Sequence, residues 1–134
     1  MKGDTQLIEI LRLTNASRMA AGMEPLVHDS RLGRAAQLHA EYLAEGGFLS
    51  HGGFGDSSPG DRATAAGYDW SRVGENVLAR TRAEPEAAYQ QWWLSQGHRD
   101  NLLTAAFQHC GLGRHYSPKV DCWYYAMLLA TPAA

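Results

Sequence analysis

The 134-residue chain predicts an α+β fold, with helices packed on a largely antiparallel sheet. Three observations carry this. The first third holds two runs of helical periodicity, the last third holds two strand-like runs joined by a turn at Ser117-Pro118, and a loop dense in Gly, Ser and Pro (48–60) follows the two helices. A chain of this length suits one domain over 1–134, with a core of its own.

Residues 4–22 predict the first helix. Asp4 or Thr5 caps it, Leu7, Ile8, Leu11 and Met19 favour one side, and Gly22 ends it. Asp29 and Ser30 cap a second helix, in which Leu32, Ala35, Ala36, His39, Ala40 and Leu43 form an apolar stripe ended by Gly46-Gly47. After the loop comes a short helix at 61–66, stopped by Gly67. "VGENVLAR" (73–80) then reads as a strand with a polar start. Pro85 suits the first turn of a helix running to Ser95, with Ala88, Trp92 and Ser95 on one face. "GHRDNLL" opens a further short turn or helix. Strands at 111–116 and 122–130 close the chain.

Hydrophobic residues make up 45% and charged ones 19%, as in ordinary globular proteins. A net charge of −2 gives no reason to expect nucleic acid or an anionic membrane as partner. The longest apolar candidate, "CWYYAMLLATPAA", is too short for a transmembrane segment. "MKGDTQLIEI" lacks the apolar core of a signal peptide, so the chain is either cytosolic or already trimmed.

Two cysteines, Cys110 and Cys122, flank the hairpin. The simplest reading is two small buried thiols. A bridge across the hairpin stays open, although a turn centred near Pro118 sets Cys122 opposite Arg114. A Cys/His zinc site with His109 and His115 also stays open, without recognisable ligand spacing.

Six histidines carry the candidate chemistry. His39, on the apolar stripe, reads as a core residue satisfied by a hydrogen bond, and His28, His109 and His115 read as surface positions. His51 in "LSHGG" and His98 in "SQGHR" adjoin glycines, which let backbone and ligand approach closely. Glu75 in "VGENV" is a carboxylate heading an apolar strand. Two His and a Glu suffice for a metal with open positions, or for a pair that activates water. The plain alternative has Glu75 capping or pairing with an Arg and the histidines fixing loops. There is no G-x-S-x-G elbow, no H-E-x-x-H helix and no phosphate-cradling loop, and Ser50, Ser57 and Ser58 have no obvious partner base.

"LTNASRMAAGMEPL" (13–26), "AAQLHAEYLAEGGFLSHGG" (35–53), "DRATAAGYDWSRVGENV" (61–77), "WWLSQGHRDNLL" (92–103) and "CGLGRHY" (110–116) occur in that order. With "GYxxxxxGEN" and "W-x-x-S-x-GHR-x-N-L" in register, the chain closely resembles a bacterial, SCP-like member of the CAP superfamily (cysteine-rich secretory proteins, antigen 5 and pathogenesis-related 1 proteins) over roughly 7–131. The resemblance implies a three-layer α-β-α sandwich around a mainly antiparallel sheet. It also implies secretion, so an extracellular or periplasmic protein whose signal peptide has been removed.

The resemblance further implies a cleft of two His and two acidic residues that in several members binds a divalent metal. His51, Glu75 and His98 match three of these positions, with Ser50, Asn76 and Ser95 lining the cleft. Ser95 stands where the wider family has the second acid, which weakens affinity for hard cations and leaves a set better suited to zinc. Met127 stands where relatives often carry Gln, and the family's eukaryotic disulfides do not transfer. Two functions are expected: a non-catalytic binding or effector module holding a divalent metal or a small, lipid or protein ligand, or a metal-dependent, peptidase-like hydrolase. In the second, His51 and His98 hold zinc and Glu75 is base or third ligand, with Ser95 or Ser50 as nucleophile a weaker variant.

Overall fold

In the computed structural model, which describes residues 3–134, the elements run α1 (Thr5–Ala20), β1 (Val27–His28), α2 (Ser30–Gly46), α3 (Pro59–Ala65), β2 (Trp70–Arg80), α4 (Pro85–Trp93), α5 (Gln96–Leu102), β3 (His109–Ser117) and β4 (Cys122–Pro132). The four strands form one sheet in the order β1-β3-β4-β2. Both long pairings are antiparallel, and only the two-residue β1 runs parallel to β3.

The sheet is buried on both faces, which explains the unbroken apolar run of β4. Tyr125, Met127 and Leu129 point to one side, into a core built with Leu7 and Ile10 of α1, Ala88 and Trp92 of α4 and Leu102 of α5. Tyr124, Ala126, Leu128 and Ala130 point to the other, against Leu32, Ala35, Ala36, Ala40 and Leu43 of α2 and Ala63 of α3. This is the expected three-layer sandwich. The "CGLG" of β3 follows the same alternation. Cys110 and Leu112 enter the first core, while Gly111 and Gly113 let α2 lie directly on the strand; a Cβ at Gly111 would stand 2.1 Å from the Gly33 nitrogen.

Helix ends follow the sequence. Asp4 and Asp29 accept hydrogen bonds from the first backbone amides of α1 and α2, and Gly47 ends α2 at φ 71°. Ser58 and Asp61 form a reciprocal capping box at α3.

Several expectations need correction. The helix that starts at Pro85 ends at Trp93, and a separate helix, α5, carries "QGHRDNL". Strand β1 has no periodicity to reveal it. In the hairpin Ser117 pairs with Cys122 across a loop of four residues, with Asp121 at φ 53°, so Cys122 does not face Arg114. Cys110 pairs with Leu129, far along the strand, and both thiols are free. Cys110 is buried, its pKa pushed up to about 12 by burial, whereas Cys122 is only half-buried. His109 and His28 are half-buried rather than solvated, and the Tyr68 hydroxyl lies 2.7 Å from His109 Nδ1. Among the described residues no three His, Cys, Asp or Glu side chains could hold a metal ion, which includes the Cys/His arrangement near the hairpin.

Strand β2 is an edge strand, and its outer side is closed by side chains. Alternate carbonyls, Glu75, Val77 and Ala79, accept from Asn101 Nδ2 (3.2 Å), Trp92 Nε1 (3.2 Å) and Gln91 Nε2 (3.3 Å). Thus Trp92 and Asn101 of the "W-x-x-S-x-GHR-x-N-L" motif fasten α4 and α5 to the edge.

Candidate functional site

The site lies at that edge, and the pleat of β2 divides "GEN" between the layers. Successive side chains of a strand point to opposite faces. Glu75 turns with Val77 toward α2 and α3. Asn76 turns with Leu78 toward α4 and α5, where its Nδ2 donates to the His98 carbonyl (3.1 Å) and its Oδ1 accepts from Asn101 Nδ2 (2.9 Å). Asn76 is fully buried, so it is a strut that positions α5 rather than an open wall of a cleft.

Glu75 is the centre. Its side chain is 1% exposed, yet it bears a carboxylate with three neighbours. Oε1 lies 2.9 Å from His51 Nδ1 and 3.7 Å from His39 Nε2, and Oε2 accepts from Arg62 Nη2 at 2.7 Å. The same Nη2 donates to the His51 carbonyl (3.0 Å), while Nη1 donates to the Ser57 carbonyl (2.7 Å) and hydroxyl (3.2 Å). One guanidinium thus orders the whole loop from His51 to Ser57. Gly53 leaves room for these contacts, because a Cβ there would stand 2.7 Å from Arg62 Nη1 and from the Ser57 hydroxyl and displace them. Ser57 therefore has a partner, but a cation rather than a base.

Of the expected residues, His51 and Glu75 are in direct contact. The His51 ring is 57% exposed and presents its second nitrogen away from Glu75. His98, half-buried on α5, has a buried Nδ1 without a partner. Burial pushes its pKa down, and the nearby His51 pushes it further. Ser50 lies beside His51; its hydroxyl accepts from Gly52 N–H (3.0 Å) and its carbonyl lies 2.8 Å from His39 Nε2. Ser95 precedes α5 and caps it without a side-chain bond. Met127 lies opposite Asn76 in the sheet and is wholly buried in the core; the polar contacts of Asn76 go to α5 instead.

Sequence reasoning missed two members. His39 is a core histidine with Nε2 against the Ser50 carbonyl, as expected, but it also faces Glu75. Burial pushes its pKa down, partly opposed by the Glu75 charge, and its Nδ1 is buried without a partner. Arg62 is the guanidinium foreseen only in general terms for Glu75. The usable signal was "DR" at the start of a short helix, a position that aims a long cation back over the preceding loop. A pocket of about 240 Å³ opens beside Arg62, lined by Leu38, His39, Tyr42, Phe54, Ser57 and Ala65 among others. Phe54 stands 85% exposed at its rim.

The donor set fits a metal only in part. Imidazoles are suitable ligands for zinc, and a carboxylate holding the far nitrogen of one of them is the usual support for such a ligand. Glu75 itself has one oxygen on Arg62 and one on His51.

The cysteine-rich secretory protein family, CAP, matches residues 11–128. The uncharacterized protein YkwD of Bacillus subtilis is 31% identical over 105 residues, covering 78% of this chain and 40% of YkwD. The crystal structure of an extracellular protein containing an SCP domain from Bacillus anthracis superposes with a TM-score of 0.82 at 27% identity, covering 92% of this chain and 39% of that one. An outer surface protein of Borrelia burgdorferi shares the fold, with a TM-score of 0.87 at 15% identity over 97% of this chain and 95% of its own. The chain thus spans about two fifths of the two Bacillus proteins' lengths. With the sandwich and the ordered motifs in place, the chain belongs to the CAP family.

Proposed function

We propose that this domain is a ligand-binding module that acts outside the cytoplasm, with a cleft formed by His51 and His98 over Glu75. The observation that carries the reading is the His51–Glu75 pair: a buried carboxylate 2.9 Å from one ring nitrogen of an exposed imidazole. That arrangement holds the ring in one orientation and leaves its other nitrogen facing away from Glu75, open to a ligand. Zinc or another divalent metal of similar softness is the ligand the imidazoles favour. The adjoining pocket at Arg62, lined mostly by apolar side chains, offers room for a small apolar molecule or the side chain of a protein partner. The extracellular relative from Bacillus anthracis supports the placement.

A second reading has one observation in its favour. A carboxylate-oriented imidazole is also the core of a general base, so a peptidase-like hydrolase would use His51 to activate water, with His98 sharing the metal. No hydroxyl or thiol contacts either imidazole ring among the hydrogen bonds of the described residues, so a covalent route has no support.

The two readings part in one experiment. Purified protein is dialysed against zinc, its metal content is determined by elemental analysis, and wild type is compared with His51→Ala/His98→Ala on a peptide panel. Stoichiometric zinc that disappears in the double variant, without turnover by wild type, supports the binding module. Turnover lost with the histidines establishes the hydrolase instead. Zinc retained by the double variant removes the cleft from both.

A further inference from the structure

We propose that the groove between α2 and α3 binds the C-terminal end of a peptide chain, with the terminal carboxylate at Arg34 and the last apolar side chains along Leu38, Ala65 and Phe54. This names the protein ligand of the binding-module reading. It rests on the pocket of that reading beside Arg62 and not on its cleft of His51 and His98.

The groove consists of two adjoining hollows. The pocket of about 240 Å³ beside Arg62 has a neighbour of about 160 Å³, and Leu38, Arg62 and Ala65 line both. The smaller hollow adds Ala35 and Ala66 to the apolar walls and Arg34 to the lining. From Arg34 through Leu38 to Tyr42 the α2 wall runs about two turns, or about 12 Å. An extended chain covers that length in about three to four residues. The walls are apolar yet open to water: Leu38 is 59% exposed, Phe54 85%, and Ala65 is exposed too. Apolar side chains grouped around a hollow, with an aromatic ring at the rim, gain most from being covered by a partner.

The Phe54 loop is ordered in advance. Arg62 holds the carbonyls of His51 and Ser57, Gly53 N–H donates to the Ser57 carbonyl (2.9 Å), and Ser57 N–H donates to the Phe54 carbonyl (3.2 Å). Asp56 sits at φ 61°, a left-handed conformation that is unfavourable for a residue with a Cβ. The loop's hydrogen bonds hold Phe54 outward in spite of this, and an anchor fixed beforehand loses little entropy on binding.

Charge sets the class of ligand and its direction. The Arg34 side chain is exposed and makes no ion pair or hydrogen bond among the described residues. Its helix neighbour Arg31 is paired with Asp29 at 2.8 Å. Arg62, the other cation of the groove, has its Nη atoms on Glu75, His51 and Ser57. Arg34 is therefore the cation left for a ligand, and a guanidinium on a carboxylate is among the stronger charge-assisted contacts. Farther along, Asp61 lines the larger pocket and Asp56 follows Phe54 in the loop. Asp61 accepts from Ser58 N–H through Oδ2 (3.0 Å), and its Oδ1 has no hydrogen bond among the described residues. A ligand that is anionic at its end, apolar next, and cationic a few residues earlier matches these zones in order. A peptide C-terminus with a basic residue upstream supplies all three, whereas a fatty acid supplies only the first two.

The test is a titration followed by ¹H–¹⁵N spectra at low ionic strength. The probe is a synthetic peptide ending in three leucines after a lysine, used as the free acid and as the C-terminal amide. The free acid is expected to shift Leu38, Tyr42, Phe54 and Ala65 and to bind about 5-fold or more tightly than the amide. Arg34→Gln, at an exposed position without side-chain contacts, is expected to lower the free acid to the affinity of the amide and to leave the amide unchanged. Phe54→Ala is expected to weaken both. Equal affinity of acid and amide for wild type overturns the proposal. So does an Arg34→Gln variant that still tells them apart, a Phe54→Ala variant that binds both as wild type does, or a free acid that shifts none of those residues at about 1 mM. Octanoate that displaces the peptide with equal or better affinity assigns the groove to a free apolar acid and overturns the proposal. A dimer of the free protein, seen by sedimentation and broken by Phe54→Ala, assigns it to a second copy and does the same. Zinc content reads out the cleft of His51 and His98 alone, so the two readings fail separately.

Discussion

Two buried arginines, one on each side of the sheet, make opposite uses of the same side chain. Arg18, at the C-terminal end of α1, is fully buried, and four hydrogen bonds carry its guanidinium to backbone carbonyls: Glu24 at 2.9 Å, Leu102 at 2.9 Å, Thr104 at 3.0 Å and Phe107 at 3.0 Å. It ties the loops after α1 and α5 together and contacts no carboxylate among the described residues. Arg62 also holds loop carbonyls, but it spends its shortest side-chain contact on Glu75, and its Nε is buried without a partner. His39, beside Arg62 and Glu75, likewise has a buried Nδ1 without a partner. No guanidinium nitrogen of Arg18 is among the buried atoms without a partner, whereas Nε of Arg62 is.

The sharpest way to break this comparison is Arg18→Met. The substitution keeps an apolar stem in the core but leaves four carbonyls without their donor, and each buried orphan costs about 1–3 kcal/mol before water or relaxation compensates. The expected loss is on the order of 4 kcal/mol in urea unfolding, with zinc stoichiometry of the folded fraction unchanged. A loss below about 1 kcal/mol would show that the loops do not depend on Arg18.

That hub was not legible in the sequence, and the reason is physical. An arginine on a helix at a half-polar position reads as solvated, because nothing in the spacing of α1 announces that chain from 102 to 107 returns to cover it. The stripe of α2 was legible, since Leu32 to Leu43 obey a single period set by one flat face. So was β4, whose apolar run is what burial on both faces demands. The site divided along the same line. His51, Glu75 and His98 were named from glycines and a carboxylate within motifs, and the His51–Glu75 contact joins residues 24 apart. Arg62 and the second role of His39 were hidden, because each depends on where α3 and α2 meet the edge of β2. Asn76 was assigned to the wrong face of its own neighbourhood: adjacent residues on a strand cannot both line one side.

A second test asks whether the leftover imidazoles cost stability. His39 and His98 both have pKa values pushed down, chiefly by burial. The folded state therefore resists protonation that the unfolded chain accepts near its ordinary value of about 6.5. Stability is unaffected well above that value and falls as pH drops below it, with a slope of at most ~1.4 kcal/mol per pH unit for each group, until the folded values are reached. Urea midpoints measured from about pH 7 to pH 5 are expected to fall more steeply in wild type than in His39→Gln. Parallel profiles would mean that the Glu75 charge offsets burial at His39, and a shallower fall in wild type that it outweighs it.

The smallest effect separates stability from the site on the site's own side of the sheet. Asp29 caps α2, accepting from Arg31 N–H at 2.9 Å and Leu32 N–H at 3.4 Å, and its carboxyl is held at about 2, chiefly by the Arg31 side chain. Because that pKa is depressed, its contribution is present above the ordinary carboxylate value and is lost as pH falls toward about 2. Asp29→Ala is expected to cost about 1 kcal/mol near neutral pH, the usual worth of an N-cap. The helix it starts carries His39 more than two turns further on, just past Ala36 and Gln37, where the close approach of Gly113 clamps α2 to β3. Fraying of the first turn should stop short of that clamp. The His51 tautomer and the zinc affinity are therefore expected to match wild type. A shift in either would mean that the clamp transmits disorder along α2, and that the order of the site depends on the whole helix rather than on Arg62 and the loop it holds.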